Sequence, residues 1–173
     1  IAENRTMSEE EARKTAQMVA LSAMKYGDLS NQAAKDYVFD VERFISFEGN
    51  TGPYNLYTIV RIKSILAKYA ESGKDAAKCK MKKPQTQSEK ALMLEVAKFN
   101  NVIETAFEEL APHKICAYIY DLSNAFNRFY HETKIIAEED RKKQAGYISL
   151  VTLTRDVLMT CINVLGFSAP ERM

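Results

Sequence analysis

The sequence predicts an all-α fold, a helical bundle of about four or five long helices. Three observations carry this. Six glycines and four prolines leave few positions for the tight turns that a many-stranded fold needs. Apolar residues recur in steps of three and four over long stretches, the spacing of one helix face. Capping and stop residues punctuate those stretches where helices begin and end. A chain of 173 residues with 46% hydrophobic and 27% charged content has the balance of a globular, packed protein rather than a disordered one.

The elements follow in order. Ser8 with Glu11 three positions later has the form of a capping box, so a helix is expected over residues 9–26, ending near Gly27. Residues 28–50 are mixed in pattern and bring Tyr37, Phe39, Phe44 and Phe47 close together. The run Glu48-Gly49-Asn50-Thr51-Gly52-Pro53 reads as a loop, with Pro53 at the first turn of the next helix, where its missing N–H costs nothing. That helix runs over residues 54–71 and stops at Gly73. Residues 74–84 are lysine-rich and read as an exposed connector. Ser88 is expected to cap a third long helix through Leu92, Val96, Phe99, Ile103 and Leu110, before Pro112. Ile115, Ile119, Leu122, Phe126 and Phe129 alternate steps of four and three and line one face of a fourth. Tyr147, Val151, Leu158, Cys161 and Leu165 line a fifth, with Gly166 at its C-terminal end.

Several function classes are disfavoured. A net charge of +1 is not that of a uniformly basic nucleic-acid binder, so a polyanion site has to come from local clustering. No apolar run approaches the roughly 18 to 20 residues of a membrane span, and no basic segment leads into an apolar one as in a secretory signal. Cys79, Cys116 and Cys161 are odd in number and far apart, unlike zinc ligands or redox pairs, which points to a reduced, cytoplasmic setting. His113 and His131 lack neighbours at ligand spacing and read as surface or helix-end residues. Glu138, Glu139 and Asp140 followed by Arg141, Lys142 and Lys143 read as a solvated stretch of mixed sign with no assigned role. There is no Gly-rich phosphate loop, nucleophile elbow or histidine-rich metal motif, so no catalytic residue is assigned. The chain starts at Ile1 rather than Met, as a piece excised from something longer would.

The helix after Pro53 carries the most information. Ile59, Ile62, Leu66 and Tyr69 form its expected buried stripe, while Tyr54, Tyr57, Arg61, Ser64 and Lys68 gather on a face roughly 120° away. A bundle helix needs one stripe, so the second row requires its own explanation. Unstacked bases bind on Tyr rings and Arg planes, and Lys and Arg neutralise phosphate. Equally, the rings would serve to pack under a neighbouring loop with the cations solvated. Both readings stay open on periodicity. The same holds for Lys74, Lys78, Lys80, Lys82 and Lys83, which read either as a phosphate-contacting loop or as an ordinary soluble linker. Asn127, Arg128, Tyr130 and His131 flank the Phe126/Phe129 stripe and would give that helix a polar, aromatic edge for a ligand, with Tyr130 reading equally as core.

Specific words then point further. Lys25-Tyr26-Gly27-Asp28-Leu29-Ser30, Lys35-Asp36-Tyr37-Val38-Phe39-Asp40 and Ser46-Phe47-Glu48-Gly49-Asn50-Thr51-Gly52-Pro53-Tyr54 closely resemble the arginyl-tRNA synthetases, class I aminoacyl-tRNA synthetases. So do Asn55-Leu56-Tyr57 with Arg61-Ile62 and Ser64-Ile65, the segment Ala125-Phe126-Asn127-Arg128-Phe129-Tyr130-His131, and the ending Leu165-Gly166-Phe167 with Ala169-Pro170-Glu171-Arg172-Met173. One departure is Asn55, where many members carry Leu. The resemblance covers essentially the whole chain. It implies a helical connecting segment over residues 1–46, which follows the catalytic core, and the helical anticodon-binding domain over 47–173. It implies Tyr54, Tyr57, Arg61, Lys68, Tyr130 and Met173 as the tRNA-binding residues, the tRNA for arginine as partner, and the upstream catalytic domain as neighbour. ATP and Mg belong to that catalytic part, whose two signature motifs are missing here, so this chain needs no cofactor and is expected to be inactive alone. No membrane is implied, and a monomer is expected.

Three hypotheses are therefore weighed: a tRNA-binding module of an arginine–tRNA ligase, a helical protein-interaction scaffold with no nucleic-acid role, and an autonomous enzyme. The last requires catalytic groups that the chain does not contain.

Overall fold

The computed structural model of this chain describes residues 7–173; the expectations that fall on residues 1–6, including the reading of Ile1 and the start of the connecting segment, lie outside it. Seven α-helices are described: α1 (Glu9–Leu29), α2 (Val41–Phe44), α3 (Gly52–Glu71), α4 (Gln87–Ala97), α5 (Phe99–Glu108), α6 (Pro112–Glu132) and α7 (Arg141–Val164), with a single 3-10 turn at Ala76–Lys78. No strand occurs among the described residues. The helices α3, α6 and α7 pack on one another, α1 lies along α3, and α4 and α5 cover α6. The four helices of 20 residues or more are those read from the sequence, and the expected third long helix is the pair α4 and α5.

Each stripe enters the core as its period requires. Ile59 and Ile62 of α3, Ile119, Leu122, Phe126 and Phe129 of α6, and Val151, Leu158 and Cys161 of α7 have no exposed surface. Each such Leu, Ile or Phe contributes about 1.5–3 kcal/mol of transfer free energy, which holds the three helices in register. By length and composition α7 is also apolar enough to cross a bilayer, contrary to the sequence reading that no such run exists. Most of its apolar residues are buried in the bundle, with Leu153 and Val164 left exposed, and a core helix meets the same criterion.

Four local expectations change. The Ser8 Oγ accepts the Glu11 N–H as a cap should, but the Glu11 carboxylate turns to Arg172 instead of completing the box. Helix α1 continues through Gly27 to Leu29, because Gly27 serves a close approach rather than a stop. A Cβ there would stand 2.6 Å from the Phe44 ring, the one buried residue of α2. Thr86, not Ser88, caps α4 by accepting the Glu89 N–H at 3.2 Å. Finally, the helix expected to run to Leu110 breaks at Lys98, whose N–H bonds the Glu95 carbonyl three residues back. The Tyr118 hydroxyl of α6 donates to that same Glu95 carbonyl at 3.0 Å, and a side chain inserted into the ladder is a known cause of such a break. Leu110 then takes a left-handed φ of 50° and points into solvent instead of joining the stripe.

The C-terminal tail closes the fold. Gly166, at φ 79°, turns the chain back after α7, and the Lys25 Nζ donates to its carbonyl at 2.6 Å. Beyond it the Lys63 Nζ donates to the carbonyls of Ala169 and Pro170 and pairs with Glu171 at 2.7 Å. Arg172 pairs with Glu11, and this guanidinium holds the Glu11 carboxyl below its ordinary value. The tail thereby ties α3 to α1.

Candidate nucleic-acid interface

The second row on α3 meets a second row on α6. Thr51 caps α3 by accepting the Tyr54 N–H at 3.2 Å, which sets the helix phase so that the Ile/Leu/Tyr stripe faces the core. Tyr54, Tyr57, Arg61, Ser64 and Lys68 consequently lie outward, half-buried at Tyr54 and Arg61 and exposed at the other three. On α6 the residues Tyr120, Asn124, Asn127 and His131 recur in steps of four, three and four, about 150° around the helix from the buried stripe.

Where the rows face each other, the polar groups are paired one by one. The Tyr54 hydroxyl donates to Asn124 Oδ1 at 2.6 Å, and Asn127 Nδ2 donates to the Tyr54 hydroxyl at 3.0 Å and to Thr58 Oγ1 at 3.2 Å. Arg61 Nη1 donates to Asn127 Oδ1 at 2.6 Å. The Arg61 guanidinium then lies 4.7 Å from the centre of the Tyr57 ring and 5.2 Å from that of Tyr130. Tyr130 stacks at 6.2 Å and 23° on Phe126 of the core, and the His131 ring stands edge-on to it at 5.5 Å. Tyr120 backs Tyr54 at 5.7 Å.

This arrangement is a fixed platform rather than a filled core. Tyr57 keeps 42% and Tyr130 37% of its surface exposed, whereas Tyr54 is half-buried and packs against Tyr120 and Asn124 of α6. A guanidinium between two rings gains about 0.5–1 kcal/mol from each at an exposed site, and its planar fork is held before any ligand arrives. With one of its five N–H donors spent on Asn127, the others remain to meet acceptors such as base edges or phosphate oxygens.

Four of the six sequence-predicted residues come together: Tyr54, Tyr57, Arg61 and Tyr130. Lys68 is exposed on the same face of α3, seven residues or about 10 Å beyond Arg61. Met173 is half-buried against the core, at the end of the tail that Lys63 and Glu11 hold. Lys63, which holds the tail at Ala169 to Glu171, lies about 160° around α3 from Arg61. Tyr120 and Asn124 were missed, although their row with Asn127 and His131 is legible at helical spacing. Among the described residues no group of three or more His, Cys, Asp or Glu is arranged to hold a metal.

Comparison with known proteins places this chain in a family. Residues 55–173, well over half of the chain, match the DALR anticodon binding domain. The chain belongs to that family. Its ring platform therefore lies on a DALR domain, contributed by α3 and α6. Among curated proteins, this DALR-bearing chain is 61% identical over 173 residues to an arginine–tRNA ligase of Agathobacter rectalis and 52% identical over 171 residues to one of Alkaliphilus oremlandii. Each match takes in 99% of this chain and 29% of the relative, so the chain spans under a third of those proteins' length. Among solved structures it is similar to the Thermus thermophilus arginyl-tRNA synthetase, with a TM-score of 0.83 and 29% identity over 98% of this chain and 29% of that one.

Proposed function

We propose that this chain is the tRNA-binding, anticodon-facing part of an arginine–tRNA ligase, acting in the cytoplasm, and that arginine, ATP and Mg are handled by a catalytic portion outside residues 1–173. The observation that carries the reading is the Tyr57–Arg61–Tyr130 stack, exposed on a DALR domain whose relatives are arginine–tRNA ligases. Stacked rings offer a π-face to an unstacked anticodon base, and the pinned guanidinium offers charge to the backbone beside it. Lys68 extends that positive edge along α3. In this reading the chain holds the tRNA while the chemistry proceeds elsewhere. Met173 enters the reading only through the family resemblance.

Titration of the chain with the transcript of the tRNA for arginine, and with the same transcript carrying an altered anticodon, tests this. Expected are salt-sensitive binding to the first and a loss of about 1–3 kcal/mol for the second, the value of one stacked or paired base. An absence of salt-dependent affinity for either RNA would remove the reading in favour of a protein-binding scaffold.

A further inference from the structure

A second cationic site lies where the lysine-rich connector crosses the start of α7. Lys82 and Lys83 from the connector and Lys142 and Lys143 from the first turn of α7 line one groove of about 410 Å³, with Glu89, Asp140 and Tyr147. The two lysine pairs are some sixty residues apart in the sequence, and the fold seats one on the other. The connector is fastened at both ends: the Lys74 Nζ donates to Gln144 Oε1 at 2.7 Å, and the Gln85 N–H donates to Glu89 Oε2 at 2.7 Å. In between, the Lys82 stem lies directly on Gly146, where an added Cβ would stand 2.9 Å from the Lys82 Cγ. The segment is a built wall, not a loose linker.

The carboxylates in this groove serve the fold, whereas the lysines are not spent on ion pairs. Both carboxylates are engaged by backbone amides: Glu89 by Gln85, and Asp140 by the N–H groups of Lys142 and Lys143 at 2.8 and 3.3 Å. None of the four ammonium groups makes an ion pair with a described residue. The first turn of α7 contains no acidic residue and begins Arg141-Lys142-Lys143, whereas α1 begins with three glutamates. Cations at a helix N-terminus oppose the macrodipole. The Asp140 cap draws Lys142 and Lys143 and offsets part of that cost, but it accounts for neither Lys82 nor Lys83 across the groove.

We propose that this groove binds the phosphodiester backbone of an RNA, taking adjacent phosphates between the connector lysines and those of α7. Its position suits a strand already held on the ring platform. Tyr147 at the groove packs edge-on at 5.6 Å against Phe129, the residue next to Tyr130 on α6. The platform and the groove thus flank the same end of α6, and four cations face Glu89 and Asp140 in the groove with Glu138 as a third carboxylate near Tyr147, which leaves a net positive charge for phosphate. The RNA as occupant rests on the function proposed above; the site itself rests on the lysines.

The test is the salt dependence of RNA binding by the 173-residue chain. Lys82→Gln with Lys83→Gln, and separately Lys142→Gln with Lys143→Gln, remove charge while keeping the stems that pack on α7. Each lost phosphate contact lowers the slope of log K against log salt by about 0.7–0.9, so each pair should lower it by about 1.4–1.8. Thermal unfolding should be unchanged or slightly raised, because a cation leaves the wrong end of a helix in the second pair. Slopes equal to the parent's in both double variants overturn the proposal. If Tyr57→Ala still weakens binding in that case, the tRNA-binding reading survives and only the groove fails. A parent chain with no RNA affinity defeats both.

Discussion

Replacing Tyr57 by Ala separates binding from folding more cleanly than any other change on this surface. The ring is on the outer face of α3, with 42% of the residue exposed, and among its neighbours the Arg61 guanidinium lies 4.7 Å from its centre. Losing that contact costs about 0.5–1 kcal/mol of stability. For a chain of this length that is a fall in Tm of about 1–4 °C. The core stripe of α3 and the Arg61–Asn127 bond are untouched, so the helix keeps its place. Binding should suffer more. A base stacked on an aromatic ring is worth about 1–3 kcal/mol by alanine substitution, a factor of roughly 5 to 150 in Kd. Fluorescence anisotropy with a labelled anticodon stem-loop reads this directly, and Tyr57→Phe, which keeps the ring, should bind within about threefold of the parent. The slope of log K against log salt should not change, since a neutral ring contacts no phosphate. A Tyr57→Ala chain that binds within twofold of the parent would show that the platform is not where bases stack.

Gly52→Ala should be among the most damaging small substitutions: the new Cβ would fall on the backbone carbonyl of Ser22, and neither α1 nor the α3 start can yield without parting, so a loss of about 1–3 kcal/mol or more is expected in urea unfolding. Asn55→Leu should stay within about 1 kcal/mol of the parent in the same assay, because removing the unpartnered, fully buried Oδ1 is offset by losing the side chain's contact with the Tyr26 hydroxyl, while the Thr51 carbonyl still receives the Asn55 N–H. Burial pushes the Cys116 and Cys161 thiols up to about 12 from an ordinary 9.0. A thiol reagent at pH 8 should therefore label the half-buried Cys79 first, leaving the other two until the chain unfolds. The sign for stability follows: ionisation of those thiols is resisted only in the folded chain, so their contribution is complete below about pH 9 and is lost as pH rises toward 12.

How much was legible depended on whether the cause was local. The stripes of α3, α6 and α7 could be read because period alone decides which residues such a helix buries, and the second row on α3 stood out because one stripe suffices for packing. The companion row on α6 obeys the same arithmetic, but its asparagines carry no strong composition signal until Arg61 and Tyr54 are seen to bond them. The break at Lys98 was not readable at all: it needs the Tyr118 hydroxyl, twenty-three residues from the carbonyl that it takes. The groove was split the same way. Its two halves looked like a linker and a solvated charge run, and only the seating of Lys82 on Gly146 makes them one wall.

The same reasoning explains why α3, and not a loop, carries the platform. A stack that reads a mobile RNA loop gains affinity only if its own parts are already still, because every side chain ordered on binding costs about 0.5–1.5 kcal/mol. Here the ordering is done in advance. The buried stripe fixes the helix, the Thr51 cap fixes its phase, and Asn127 fixes the guanidinium, which in turn spaces the two rings. Tyr130 takes its position from Phe126 beneath it, so the platform inherits the rigidity of the core at one remove. Removing Asn127 should then weaken RNA binding although that side chain is itself half-covered, since an Arg61 free to rotate no longer holds Tyr57 and Tyr130 apart.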